Sequence, residues 1–463
     1  MKINIITLGC SKNLVDSEHL AGILKANGHE VLFDSTKKKF DVAIINTCGF
    51  IGDAKEESID VILEYIEEKK KGNIKNIIVF GCLVERYKET LEEEFIEIDA
   101  FFGVNNYLDI ATYLNAQIEK DFFLQRQPST PKHFAYLKIS EGCDRFCSFC
   151  AIPYIRGRHI SIPIEELVEE AKCLAKRGVK EIIIIAQDTC NYGKDLYGKV
   201  RLVDLLKEIA KIEQIEWIRL QYSYPNDFND ELIEFLANEP KMCKYIDMPL
   251  QHINNRLLSS MNRKITGEEI RTLIDKIRKK IPQVCLRTTL IVGYPSESEE
   301  EFEELKTFVK QTKFDRMGAF TYSAEENTAA FKLEDNISQE EKQDRLDALT
   351  FSQESISLNL NQKKIGKTFK VLIDRKEGEY YVGRTEFDSP EVDNEVLISI
   401  EEKIKIGYKN YLHTGILLIL LGIMYFFVSV YMYYKGTNTT MHEYLTYLVA
   451  LNAFWSISWA IYG

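Results

Sequence analysis

From His133 to Pro153 the chain reads HFAYLKISEGCDRFCSFCAIP, an apolar strand-like run followed by Cys143, Cys147 and Cys150 in a C-x-x-x-C-x-x-C spacing. Three thiolates this close suit one metal cluster. A cubane held by three protein thiolates keeps one iron open to a small ligand, as catalytic metal sites keep an open position. A zinc site would need a fourth Cys or His at comparable spacing, and the nearest candidate, His159, is followed by no second ligand pair.

That run is the first of a series. From about His133 to Ser323 strands are expected near Ala135, Ile182, Ile218, Tyr245, Cys285 and Met317, with helical stretches between them. The pattern predicts a partial (βα)6 TIM-like barrel, whose strand carboxyl ends build the active face. Gln187, Asp188, Gln221, Gln251, His252 and Arg287 fall at such ends and are candidates for contacting a ligand. Each has a plainer alternative: a solitary His252 serves equally as a structural histidine, and Arg287 as partner to a nearby carboxylate.

Upstream, Lys2 to about Tyr113 alternates short apolar runs with amphipathic stretches, the pattern of an open parallel α/β sheet. Strands are expected at Ile3 to Leu8, Val42 to Asn46 and Ile77 to Phe80, with helices at Ser17 to Asn27 and Ala54 to Lys70. A cysteine follows each of those strands: Cys10 ends ITLGC, Cys48 ends AIINTC and Cys82 ends IVFGC, with Gly9, Gly49 and Gly81 beside them. In an open parallel sheet the strand carboxyl ends converge at one edge, so these three thiols are expected to meet and hold a second cluster. The other cysteines, Cys173, Cys190, Cys243 and Cys285, stand alone and read as small buried apolar residues.

The boundaries follow from composition. Residues 1–124 form the first α/β domain, Gln125 to Lys132 (QRQPSTPK) a polar linker, 133–338 the barrel, 339–364 a charged linker helix and 365–407 a small β domain. Between Lys376 and Glu402 nine acidic side chains face two basic ones, which would repel a phosphate backbone. Residues 410–463 are apolar and aromatic-rich. Asn410 to Tyr434 lacks Asp, Glu, Lys and Arg, so a transmembrane hairpin is expected there, against the alternative of buried core helices.

The whole chain has 463 residues, 45% hydrophobic and 28% charged, with a net charge of -12; this is a multidomain globular composition with no general field for nucleic acid. Ten cysteines without an export signal point to metal or redox chemistry in a cytoplasmic protein, with membrane tethering possible through the apolar tail.

The motif around Cys143, Cys147 and Cys150 resembles that of the radical S-adenosylmethionine superfamily. The resemblance implies that the open iron binds S-adenosylmethionine and that a radical made from it abstracts hydrogen from an unactivated carbon. Two cysteine sets, one on an α/β domain and one on a barrel, followed by a small TRAM-like β domain, resemble the methylthiotransferase family from about Lys2 to Ile400. This implies two [4Fe-4S] clusters, held by Cys10, Cys48 and Cys82 and by Cys143, Cys147 and Cys150, with S-adenosylmethionine as methyl and radical source. LGCSKNLVDSE (Leu8 to Glu18) and GRTEFDSPEVDNEVLI (Gly383 to Ile398) are most similar to the branch acting on the β carbon of an aspartate in protein twelve of the small ribosomal subunit. The acidic strip fits a basic ribosomal protein better than RNA.

Gly293 and Pro295, in LIVGYPSE, resemble a family motif near the adenine, so Gly293 joins Gln187 and Gln251 as a cofactor-binding candidate. Tyr154 to Arg158 also resembles the family; Arg156 and Arg158 either orient a carboxylate or form a solvated basic turn, and no catalytic residue is assigned. A reducing electron donor and a sulfur donor are implied as partners, and direct specific nucleic-acid binding is not expected. Two other readings are a tRNA adenosine methylthiotransferase, which shares both cysteine sets, and a membrane-anchored iron–sulfur electron carrier. The family's β domain continues past Ile400 with further strands, whereas this chain turns apolar after Tyr411. The β domain is therefore expected to be incomplete and the tail a fusion or a disrupted gene end.

Overall fold

β-Branched runs at the head of the chain pair into one parallel sheet. In the computed structural model, which describes residues 1–36 and 39–401 and the backbone of 412–415, strands β1 (Lys2–Thr7), β2 (Glu30–Phe33), β3 (Phe40–Thr47), β4 (Ile74–Gly81) and β5 (Ala100–Phe102) lie in the order β2-β1-β3-β4-β5. Both faces are covered: Ile3, Ile5, Ile44 and Ile78 pack into one apolar layer, Ala43, Ile45, Ile77 and Val79 into the other. That is why these strands read as near-continuous apolar runs. Helices α1 (Ser11–Ala26), α2 (Gly52–Lys70) and α3 (Cys82–Glu94) each start within a few residues of a strand's end. The strand order reverses between β1 and β3, and open α/β sheets bind ligands in that crevice.

Helix α1 begins at Ser11, well before the expected Ser17. Lys12, Asn13, Asp16, Ser17, Glu18 and His19 interrupt any apolar stripe, yet all are buried. Periodicity fails here because α1 is covered on its polar side as well, by the second domain.

That domain is built on a second parallel sheet. Strands β6 (Phe134–Lys138), β7 (Glu181–Ile185), β8 (Trp217–Leu220), β9 (Met242–Asp247), β10 (Cys285–Val292) and β11 (Arg316–Thr321) are neighbours in chain order. Every adjacent pair is parallel. All six lie where the apolar runs predict them. Their outward side chains, including Ile182, Ile184, Ile218, Leu220 and Leu286, meet amphipathic helices such as Gly267–Lys280 and Glu299–Thr312. Both helices start at capping boxes, Thr266 with Glu269 and Ser298 with Glu301, which satisfy the otherwise orphaned first-turn N–H groups.

The other face meets a four-stranded antiparallel sheet of β12 (Thr368–Glu377), β13 (Tyr380–Thr385), β14 (Val396–Ser399) and β15 (Leu412–Gly415), ordered β14-β13-β12-β15. Strand β15 falls past residue 407, inside the span expected to open the apolar hairpin. The open edge of β12 offers Thr368–Val371 to the next extended segment, and Leu412–Gly415 takes it. The remainder of the expected hairpin lies outside the described residues. Among the described residues no helix is long and apolar enough to cross a membrane.

Trp217, Cys243, Tyr245 and Cys285 pack against Leu372 and Phe387 of the small domain. Around this contact the acidic loop folds inward: Arg316 pairs with Asp388 at 2.5 Å, and the Tyr245 hydroxyl donates to Asp393 at 2.7 Å. At its base Arg219 donates to Glu181 at 2.7 Å, Arg384 bridges Glu181 (2.9 Å) and Asp374 (2.7 Å), and His133 lies 2.7 Å from Asp374.

Buried ions are tolerable only while paired. Arg384→Ala would leave Glu181 and Asp374 short of a counter-charge, and it is expected to destabilise the junction by about 3–5 kcal/mol in denaturant unfolding. Arg375→Ala, which removes a surface pair with Glu395, should produce little change. Burial alone would raise the Asp374 carboxyl, but the bonds from His133 and Arg384 hold it below its ordinary value. Its stabilising contribution is therefore complete at neutral pH. It is lost only as pH falls below the usual Asp value of about 3.9, which an acid titration of unfolding with wild type and Asp374→Asn will read.

Candidate active site

The Cys143–Cys150 loop is pinned at both ends. Gly142 (φ +74°) lies so close to Arg158 O that a Cβ would collide with it, and Cys143 N donates to Gly157 O at 3.1 Å. Phe146 takes a left-handed φ of +48°, and Asn262 Nδ2 donates to its carbonyl at 2.8 Å. Ser148 N and Oγ donate to Met261 O (3.0 Å) and Ser260 O (2.7 Å). Arg263 approaches Cys147 Sγ to 3.7 Å. Burial pushes the Cys143 thiol up to about 12 and the Cys150 thiol upward as well. Cationic irons are the kind of partner that holds such buried thiols as thiolates.

The first-domain cysteines sit at the β1/β3 crevice and its neighbour. Cys10 caps α1, Cys48 follows β3, and Cys82 opens α3. Glycines permit the approach. A Cβ on Gly9 (φ +85°) would come within 2.6 Å of Cys48 Cβ and 2.8 Å of its Sγ, and one on Gly81 (φ +105°) within 2.6 Å of Asn46 Oδ1. Burial, reinforced by the neighbouring cysteines, pushes the Cys82 thiol up to about 11 although Arg156 acts in the opposite sense. All six cysteines are free thiols. Among the described residues no three His, Cys, Asp or Glu side chains form the closed set a single ion takes. Three thiols carried on loops that Gly9 and Gly81 allow to approach are the kind of donor set a cubane takes.

Arg156 joins the two loops, and neither alternative reading of its segment describes it. It is buried, donates to Asn13 Oδ1 and to Glu141 Oε1 (2.9 Å), and lies 3.4 Å from Asp16 Oδ2 and 3.6 Å from Cys82 Sγ. Lys138 completes the group, pairing with Asp16 and with Glu141 at 2.7 Å. Asn13 Nδ2 donates to Leu8 O (2.9 Å) and Thr47 O (3.1 Å), tying the ends of β1 and β3 together. Arg158 is exposed and paired with Asp144 at 2.5 Å.

The other candidates divide. Gln187 reaches this group, donating to Glu141 at 2.6 Å, while its Oε1 is buried without a partner among the described residues. Asp188 accepts from Arg145 at 2.6 Å through Oδ2, and among the described residues neither its Oδ1 nor Ser223 Oγ has a partner. All three residues follow strand carboxyl ends of the second sheet, the edge at which such folds bind ligands. Gln251 holds a strained φ of +74° and bridges β10 through Thr289 O (2.9 Å) and Ile291 N (2.8 Å).

Four candidates have structural partners instead. His252 is fully buried against Glu297 at 3.0 Å, and Glu297 accepts from Arg345 at 2.8 Å. Arg287 pairs with Asp247 at 2.9 Å, and Gln221 donates to Ser389 at 2.6 Å. Gly293 (φ +68°) is required where Lys342 of the linker helix crosses it, and its N–H donates to Glu297 at 2.5 Å. Pro295 is buried in the same turn.

Models of three families match the chain: the radical SAM superfamily over residues 137–309, Uncharacterized protein family UPF0004 over 2–103 and the TRAM domain over 365–412. Curated relatives named ribosomal protein uS12 methylthiotransferase RimO are similar over most of their length. The one from Phocaeicola vulgatus is 54% identical, covering 88% of this chain and 94% of its own. Those from Cytophaga hutchinsonii and Flavobacterium johnsoniae are each 52% identical, covering 88% and 89% of this chain and 93% of their own. Two solved structures of the radical S-adenosylmethionine methyltransferase TsrM from Kitasatospora setae share the fold. One has a TM-score of 0.52 at 14% identity, covering 69% of this chain and 74% of that one. The other has a TM-score of 0.53 at 14% identity, covering 81% and 79%.

The glycine geometry makes a direct prediction. Gly9→Ala meets both a left-handed φ and Cys48, so it should lose about 1–3 kcal/mol of stability in thermal or denaturant unfolding. Gly72→Ala, with a φ of +76° but nothing within 4 Å, should show the smaller loss that backbone strain alone produces.

Proposed function

The chain belongs to the ribosomal protein uS12 methylthiotransferase family, and from that premise we propose that it replaces a hydrogen on the β carbon of a uS12 aspartate with a methylthio group. The enzyme is a radical S-adenosylmethionine methylthiotransferase acting on uS12, and the relatives do not favour the tRNA alternative. We assign residues 1–124 to the domain carrying the sulfur-bearing cluster, 133–338 to a partial barrel carrying the radical-generating cluster, 339–364 to the linker helix and 365 to at least 415 to the TRAM domain.

Cys143, Cys147 and Cys150 would hold one [4Fe-4S] cluster, and Cys10, Cys48 and Cys82 the other. When bound, the clusters and S-adenosylmethionine supply the electron, the hydrogen-abstracting radical and the methylthio group. The chain's own residues then position and shield. Gln187, Asp188 and Ser223, whose polar atoms lack partners among the described residues, would bond to a bound cofactor. Gln251 shapes the adjoining turn from its strained backbone, and buried Tyr294 and Ala151 help keep water from the loop. His252, Arg287 and Gln221 support this face through Glu297, Asp247 and Ser389, and Gly293, in the turn held by Glu297, stays a cofactor-binding candidate. A reducing donor and a sulfur donor complete the chemistry, in the cytoplasm where ribosomal proteins are made. The segment beyond residue 415 plays no part in this reading.

The observation that carries the proposal is the meeting of two cysteine loops, from two parallel sheets, around one buried charged group. Anaerobic reconstitution should give about eight irons per chain, falling to about four in both the Cys143, Cys147, Cys150 and the Cys10, Cys48, Cys82 triple-alanine variants. The first variant should lose S-adenosylmethionine cleavage. The second should keep cleavage yet add no methylthio group to uS12, read by peptide mass spectrometry. About four irons in the wild type, falling to none in the first variant, would remove the sulfur-bearing cluster from the scheme.

A further inference from the structure

Arg156 is a barrel-loop residue whose guanidinium lies within the first domain's cysteine crevice. It stands 3.6 Å from Cys82 Sγ and shares Asn13 Oδ1 with that thiol, which lies 3.8 Å from the same oxygen. The surrounding ions balance in pairs: Lys138 and Arg156 against Asp16 and Glu141. The thiolates of a bound cluster would be the excess negative charge, and Arg156 is the cation of the group that touches one of them. No other Arg or Lys side chain among the described residues approaches Cys10, Cys48 or Cys82 at hydrogen-bond distance; Arg86 donates to Gly49 O at 2.8 Å and to Glu325 at 2.6 Å, and to none of these thiols.

We propose that Arg156 sets the reduction potential of the first-domain cluster, by donating to the Cys82 thiolate and countering the negative charge that each added electron brings. Reduction adds one electron from an external low-potential donor and one unit of negative charge at the cluster, with no bond made or broken in the protein. A fixed buried cation stabilises that reduced state and raises the potential, since hydrogen bonds to the sulfurs and local charge are the protein's levers on such clusters. Arg156 is thus a positioning and tuning residue delivered by the barrel. The first-domain cluster acquires its proper potential only with the two domains docked. This inference rests on the cysteine assignment proposed above.

The test uses the full chain with Cys143, Cys147 and Cys150 changed to alanine, so that only the first-domain cluster titrates. Dithionite titration with redox mediators is followed by electron paramagnetic resonance. In this background Arg156→Gln should lower the reduced-to-oxidised ratio at a fixed potential by about tenfold, equivalent to about 59 mV for one electron. Arg156→Lys should stay nearer the parent, and Arg158→Gln, which removes an exposed charge two residues away, should leave the ratio unchanged. Glu141→Gln, which removes the anion opposing Arg156, should shift the ratio in the opposite direction. An unshifted potential in Arg156→Gln at full iron content would overturn the inference, as would equal shifts in Arg156→Gln and Arg158→Gln. Should Arg156→Gln take up no iron, Glu141→Gln decides: a raised potential supports the proposal and an unchanged one sinks it. A parent background without iron would instead refute the cysteine assignment itself, before Arg156 is tested.

Discussion

The arrangement depends on one buried group of charges, Asp16 from α1, Lys138 from β6, and Glu141 and Arg156 from the two flanks of the Cys143–Cys150 loop. None of these ions can be left alone in the interior, because an unpaired buried charge costs several kcal/mol and each partner lies on a different segment. The first domain and the second sheet are therefore held in one relation, with α1 between them. A looser, hydrophobic contact would tolerate sliding; interlocked ion pairs with directional hydrogen bonds do not. Glu18 repeats the device farther along α1, accepting from Arg126 at 2.6 Å while Arg126 also holds Glu170 at 2.6 Å.

Given that relation, the two parallel sheets do the rest. Each turns its strand carboxyl ends toward the common boundary, so loops after β1, β3 and β4 face the loop after β6. The glycines are the consequence: Gly9, Gly81 and Gly142 stand where backbone must pass close to a neighbour, and a side chain at any of them would push a cysteine-bearing loop away. The linker helix acts from outside, with Lys342 over Gly293 and Arg345 on Glu297. Its chemistry is that of a brace.

Much of this was legible in the residues. All six strands of the second sheet and the three strand-then-cysteine units follow from apolar runs, because parallel strands covered on both faces have no other pattern. What escaped is polar and buried. Asn13, Asp16, Glu141 and Arg156 look like surface residues in a linear reading, and only the docking of two domains encloses them. His252 and Arg287 show the converse: position at a strand end does not reveal that Glu297 or Asp247 pairs with the side chain. The phrase LGCSKNLVDSE had a visible resemblance and a hidden mechanism, since Cys10, Asn13, Asp16 and Glu18 lie along one turn after another of α1 and all serve the boundary.

The acidic strip shows how charge counted along a chain differs from charge presented to a partner. Asp388 and Asp393 are drawn inward by Arg316 and Tyr245, and Glu386 accepts from the backbone of Lys244 at 3.1 Å. These carboxylates fasten the TRAM domain to the inner face of the second sheet and contribute little field outside. Glu377, Glu379, Glu391, Glu395 and Glu401 remain exposed, although Arg375 offsets Glu377 and Glu395. Complementarity to a basic ribosomal protein must therefore arise from fewer groups than the sequence suggests. At the Cys143–Cys150 loop itself, exposed Tyr154 and Phe146 meet edge to face, with Arg158 over the Phe146 ring. Phe146, Tyr154 and the Arg158–Asp144 pair therefore form an exposed, aromatic and largely charge-balanced rim at this loop.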